Sequence, residues 1–161
     1  MLEMKTAELF ALSCELGAYV NGAPAAGRKA LRQFGLALGT AYQMYDDCVD
    51  VFGSEAVAGK SLGTDLAKGK LTLPVLIFWE RASAHEQAKL QELVCKWEPG
   101  YLAEVLALLA RHETLGESLE TIHHYLEQAR EILRPLPAGR EGLAGLTEYL
   151  ARQADTLGVC A

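Results

Sequence analysis

Gln43, Asp46, Asp47 and Asp50 recur at i, i+3, i+4 and i+7, and at roughly 100° per residue they form one polar stripe on a helix. Leu31, Phe34, Leu38, Tyr42, Tyr45, Val49 and Phe52 recur at steps of three and four on the other side. The pattern predicts a long helix, starting near Pro24, with a packed apolar side and a rigidly held acidic side. Asp is a weak helix former, and like charges at these spacings repel by a few tenths of a kcal/mol each. Solvent can absorb that repulsion, and so can a cation. Gly35 and Gly39 continue the acidic side as small residues that admit a backbone or a ligand. No Lys or Arg follows four residues on to pair the acids. Hard divalent ions take oxygen ligands, and Mg²⁺ binds through one or two carboxylates plus water and phosphate.

Residues 59–70 follow as a glycine-punctuated basic segment carrying Lys60, Lys68 and Lys70, and its breakers predict a loop. Formal net charge is −6, so an anionic phosphate would be captured by a local cluster of this kind, not by the field of the whole chain. The same charge argues against nucleic acid, whose binding draws on excess Lys and Arg.

Taken together these residues resemble a known family. Gly39, Tyr42, Gln43, Asp46, Asp47, Asp50 and Gly53, followed by Gly59, Lys60, Gly63, Asp65, Leu66, Gly69, Lys70, Thr72, Leu73 and Pro74, look like the second aspartate-rich region of the trans-polyprenyl diphosphate synthases. Lys5, Thr6, Ala7, Leu9 and Phe10 resemble the Lys-Thr helix that precedes it, and Leu133, Leu136, Pro137, Leu143, Leu146, Tyr149 and Arg152 resemble the closing helices. The resemblance implies isoprenoid biosynthesis: Mg²⁺-dependent prenyl transfer from an allylic diphosphate onto isopentenyl diphosphate. It assigns Asp46, Asp47 and Asp50 to metal, and Lys5, Lys60 and Lys70 to diphosphate. Lys5, Thr6, Gln43 and Lys60 would be the catalytic residues, with Gln43 and Thr6 beside the reacting centre. Asp65 matches the family's loop aspartate, where capping or bracing the loop is an equal alternative.

The first aspartate-rich motif of the family, and its isopentenyl diphosphate ligands, have no counterpart here. The chain therefore resembles a carboxyl-terminal half, and Met1-Leu2-Glu3 reads equally well as internal sequence. This favours a second reading, a non-catalytic half-synthase subunit that binds and modulates a complete partner. On the first reading the chain alone is expected to be inactive.

The 161 residues, half of them hydrophobic, fit a single all-α domain, 1–161. The expected architecture is a partial isoprenoid-synthase-like bundle of about 6–7 helices. Asn21-Gly22 stops the first helix, Ser83-x-x-Glu86 reads as a capping box, and Leu71 to Trp79 is apolar on every side. A helix of that kind needs neighbours all round, which predicts a homo-oligomer or a partner subunit supplying the missing half. Cys14, Cys48, Cys95 and Cys160 lack metal-ligand spacing and suit free thiols in the cytoplasm. The adjacent His123 and His124 point in different directions and cannot chelate one ion. No apolar run is long enough to span a membrane.

Overall fold

The computed structural model of the chain describes residues 3–59, 61–136 and 139–157. The elements in order are α1 (Glu3–Val20), α2 (Ala25–Phe52), α3 (Glu55–Ala58), α4 (Thr64–Ala67), α5 (Leu73–Arg81), α6 (Ala84–Cys95), a 3-10 turn (Pro99–Tyr101), α7 (Leu102–Ala110), α8 (Thr114–Leu133) and α9 (Glu141–Asp155). No strand occurs among the described residues, and the chain is all-α as its periodicity predicts. Residues 61–70 of the basic segment hold more structure than their breakers suggest, since α4 forms one helical turn there. No helix is long and apolar enough to cross a membrane among the described residues. The chain divides into two compact units, residues 1–43 with 121–155, and residues 44–120 with 156–161.

In the first unit α1 stops where Asn21-Gly22 requires: Gly22 takes φ +74°, and the Ala23 N–H donates to the Ala18 carbonyl at 3.0 Å. The inward side of α1 is Ala7, Ala11 and Ala18, while Leu9, Leu12, Leu16, Tyr19 and Val20 are exposed. Gly35 and Gly39 of α2 are the reason. A Cβ on Gly35 would lie 2.5 Å from the Phe10 carbonyl oxygen, and one on Gly39 would lie 2.8 Å from the Ala7 Cα. The small residues thus admit a backbone, the first of the two roles open to them in sequence. Arg32 ties the pair together through Glu8 at 2.5 Å and Glu15 at 3.3 Å. His123 pairs with Asp155 at 2.9 Å and His124 with Gln128 at 2.8 Å, so each serves its own surface contact.

The core of the second unit is Val51, Leu66, Val75, Phe78, Leu90, Leu93, Val105, Leu108 and Leu109, with Trp97 packed against it. Here α7 packs on α5 and α6. The apolar helix expected from Leu71 to Trp79 runs from Leu73 to Arg81, and only Pro74, Val75, Ile77 and Phe78 are buried. Leu71, Leu76 and Trp79 remain exposed, so its neighbours cover one side.

The capping box opens α6. The Ser83 Oγ donates to the Glu86 carboxylate at 2.8 Å, the Ser83 N–H donates at 3.0 Å, and the Glu86 N–H returns to Ser83 Oγ at 3.4 Å. The Ser83 hydroxyl, then its N–H, then His112 hold the Glu86 carboxyl down at about 2, below its ordinary 4.5. A lowered folded value means stability that is present above the unfolded pKa and is lost as pH falls through the folded one. Melting temperatures recorded from pH 5 to pH 2 should therefore fall less steeply for Glu86→Gln than for the parent. Parallel curves would show that the box carries no proton-linked stability.

Candidate functional site

Placement on α2 differs from the simple picture of an apolar side packed inward and an acidic side facing out. Asp47 and Asp50 are 6% and 1% exposed, whereas Tyr42 is 43% exposed. Leu31, Tyr45, Val49 and Phe52 are half-buried, and only Phe34 and Leu38 of the apolar series are fully buried. A helix with elements packed around much of its circumference has no single dry side. Burying a carboxylate is costly unless it is paired or hydrogen-bonded, and the segment after α3 meets that need.

Asp50 accepts from the Thr64 hydroxyl at 2.9 Å, the Thr64 N–H at 3.2 Å and the Asp65 N–H at 2.9 Å. Its own carbonyl accepts the Gly63 N–H at 2.7 Å. The carboxylate thus serves as an N-terminal cap for α4, supplied from another helix, at the end where orphan N–H groups and the helix dipole favour an anion. Gly63 adopts φ +72°, and a Cβ there would come 2.4 Å from the Trp97 ring. Only glycine suits both demands.

Asp65, 7% exposed, carries the arrangement onward. Its carboxylate pairs with the Lys70 ammonium at 2.5 Å, and its carbonyl accepts the Lys70 N–H at 2.9 Å. Asp65 foremost, with Asp47 and Asp50 contributing through space, raises the Lys70 pKa and keeps that ammonium charged. Of the predicted residues, Asp47, Asp50, Asp65 and Lys70 are therefore brought into one electrostatic neighbourhood. Asp46 lies beside them on α2, half-buried. Lys68 is exposed. Burial pushes the Cys48 thiol up to about 12, with Ser118 opposing and Asp47 adding to the rise. A buried thiol of this kind is a soft ligand and does not suit a hard cation.

Lys5, Thr6 and Gln43 belong to the other unit. Lys5 is exposed near the start of α1, and Thr6 and Gln43 are half-buried. Lys60 lies outside the described residues, as do Pro137 and Cys160. Cys14, Cys48 and Cys95 are free thiols. Among the described residues no three His, Cys, Asp or Glu side chains converge on one point to hold an ion. The donors present are carboxylate oxygens, a set that fits a hard cation completing its shell with water and phosphate oxygens. Thr64 and Trp97 were not singled out in the sequence. Thr64 could have been noticed as the residue just after a loop glycine and before an acid, a common helix-start signal, whereas nothing local marks Trp97 as the neighbour of Gly63.

Known proteins resemble this chain. The Polyprenyl synthetase family model matches residues 1–109. The Bacillus subtilis protein named heptaprenyl diphosphate synthase component 2 is 34% identical over 154 residues, 94% of this chain and 44% of its own length. The octaprenyl diphosphate synthase of Haemophilus influenzae is 34% identical over 137 residues, 83% of this chain and 41% of its own. A polyprenyl synthase from Caulobacter crescentus, solved with calcium and isoprenyl diphosphate, superposes with a TM-score of 0.86 at 32% identity, covering 94% of this chain and 48% of that one. The chain thus spans about half the length of the relatives it matches. The match takes in α1, the aspartate helix and the segment ending at Lys70, which together carry the acids and the lysine described above, and on that ground the chain belongs to the polyprenyl synthetase family.

Proposed function

We propose that this chain supplies the second aspartate-rich, Mg²⁺-dependent diphosphate half-site of a trans-prenyl diphosphate synthase, which transfers a prenyl group from an allylic diphosphate onto isopentenyl diphosphate. The observation that carries the reading is the juxtaposition of Asp47 and Asp50 with Lys70 in one unit. Asp46, Asp47 and Asp50 form the acidic stripe assigned to metal, and the oxygens of Asp50 are turned to Thr64 and Asp65. Lys70 holds the diphosphate as a point charge, a role that the family resemblance also gives to Lys5 and Lys60. The same resemblance gives Gln43 and Thr6 a role beside the reacting carbon. Mg²⁺, when bound, supplies Lewis-acid stabilisation of the charge that grows on the departing diphosphate. The lysines reinforce that stabilisation as the allylic carbon–oxygen bond breaks and its electron pair leaves with the phosphate. In a complete synthase, apolar surroundings would keep water from the resulting cation until the isopentenyl double bond attacks it.

A second reading, a non-catalytic subunit that modulates a complete synthase, is supported by relatives whose names call them component 2 of a heptaprenyl diphosphate synthase. Under either reading a second copy or a partner subunit supplies the missing half, and exposed Leu71, Leu76 and Trp79 are apolar surface available for burial. The three free thiols among the described residues suit a reducing cytoplasm.

Titration of the chain with pyrophosphate, followed by calorimetry, tests the first reading. Mg²⁺ should strengthen binding on the order of tenfold or more, because Asp46 and Asp47 would hold the ion and its positive charge would favour the phosphate anion. Asp46→Ala should abolish the strengthening. Equal affinity with and without Mg²⁺ in the parent chain would sink the proposal.

A further inference from the structure

We infer that Asp50, although it shares the acidic stripe, acts as a positioning residue: it fastens the segment Gly63–Lys70 and through Asp65 sets where Lys70 presents its ammonium. The inference rests on the half-site reading for the identity of the ligand. It rests on geometry alone for the fastening. At 1% exposure the Asp50 side chain meets no solvent, and its two oxygens already receive three hydrogen bonds from Thr64 and Asp65. A carboxylate offers about four lone-pair directions. Three of them are spent on donors at the start of α4, whose N-cap residue, Gly63, has no side chain to offer. Turning Asp50 toward a cation would strand two backbone N–H groups and a hydroxyl in a buried place, each at the cost of an unmade hydrogen bond.

The connection to Lys70 is short and continuous. The Asp65 N–H rests on Asp50, the Asp65 carbonyl holds both the Lys68 and Lys70 N–H groups, and the Asp65 carboxylate holds the Lys70 ammonium. Trp97 closes the far side of Gly63, so the turn is gripped between an acid and a ring. Moving either grip should displace the lysine without touching Asp46 or Asp47.

The test compares Asp50→Asn, Gly63→Ala and Lys70→Met in the 161-residue chain, using nuclear magnetic resonance titration with sodium pyrophosphate, first without metal and then with Mg²⁺. Asp50→Asn puts an NH₂ where an acceptor is needed, and Gly63→Ala drives a methyl into the Trp97 ring while leaving every acid in place. Each should weaken metal-free pyrophosphate binding on the order of tenfold, as Lys70→Met does. The double variant of Asp50→Asn with Lys70→Met should be no weaker than either alone. The strengthening by Mg²⁺ should survive in Asp50→Asn. Amide exchange at Thr64, Asp65 and Lys70 should accelerate in Asp50→Asn while the amides of α7 stay protected.

If metal-free affinity is unchanged in Asp50→Asn but the Mg²⁺ effect is lost, Asp50 is a metal ligand and the inference falls. It falls equally if the Thr64 and Asp65 amides exchange alike in the parent and the variant. If the parent binds no pyrophosphate under any condition, the half-site reading fails, and the exchange pattern still decides whether Asp50 fastens the turn. Should Asp50→Asn not fold, Gly63→Ala carries both measurements.

Discussion

A pure preparation of this chain, given Mg²⁺, an allylic diphosphate and radiolabelled isopentenyl diphosphate, is expected to form no longer prenyl product. Asp46, Asp47 and Asp50 lie on one helix, α2, with Lys70 in the same unit, and no second aspartate-rich helix is present in the sequence. Ionisation of an allylic diphosphate needs charge stabilisation around the whole leaving group, and one well-placed donor alone is worth about 10²–10³ in rate. Condensation also needs the second substrate held in line, and positioning of that kind can account for roughly 7–11 kcal/mol of a barrier. Lacking one set of acids and the second substrate's ligands, the chain should run on the order of 10⁴-fold or more below a complete synthase. Extraction of the lipid fraction and scintillation counting give the measurement. Counts above blank in a prenyl product would refute the expectation and would mean that one aspartate-rich helix suffices.

The largest expected effect on stability comes from one methyl group. Gly35→Ala places a carbon 2.5 Å from the Phe10 carbonyl oxygen and 2.8 Å from the Ala11 Cα. Both are backbone atoms, so no side chain can swing aside, and α1 must move bodily. Overpacking of this kind costs about 1–3 kcal/mol, offset by up to ~1 kcal/mol of helix propensity gained in replacing glycine. At about 2–4 °C per kcal/mol for a chain of this size, the melting temperature should fall by several degrees. Gly145→Ala, in α9, is the control. Nothing lies within 4 Å of its added Cβ, so the same substitution should raise the melting temperature slightly. Calorimetric scans of the pair should move in opposite directions. A Gly35→Ala melting temperature equal to or above the parent's would show that α1 does not sit against Gly35 in solution.

Much of the fold was legible because its signals are local. The stop at Asn21-Gly22, the capping box at Ser83 and Glu86, and the step pattern of α2 each depend on residues a turn apart, and each is found where the spacing puts it. The acidic stripe was legible for the same reason. Which of its members is buried was not. Asp50 and Asp46 look alike in the sequence, and what separates them is Thr64 and Asp65, which lie 14 and 15 residues downstream of Asp50 and reach it only through the fold. The turn α4 was hidden in a similar way, since its cap comes from another helix and its own N-cap residue, Gly63, signals only a breaker. The exposure of Leu76 and Trp79 depends on which neighbours α5 has, and an all-apolar run carries no information on that.

Hydrophobicity alone would rotate α1 by about half a turn. Leucine gains far more than alanine from leaving water, yet here alanines occupy the dry side and leucines the wet one. The close approach of α2 at Gly35 and Gly39 leaves no space for anything larger, so the rotational register of α1 is selected by size against the gradient of burial energy. The two requirements are then separable. Volume at positions 7, 11, 35 and 39 fixes how the helices dock, and the leucines at 9, 12 and 16 are released from that task, so their chemistry can answer to whatever lies outside without disturbing the pair beneath.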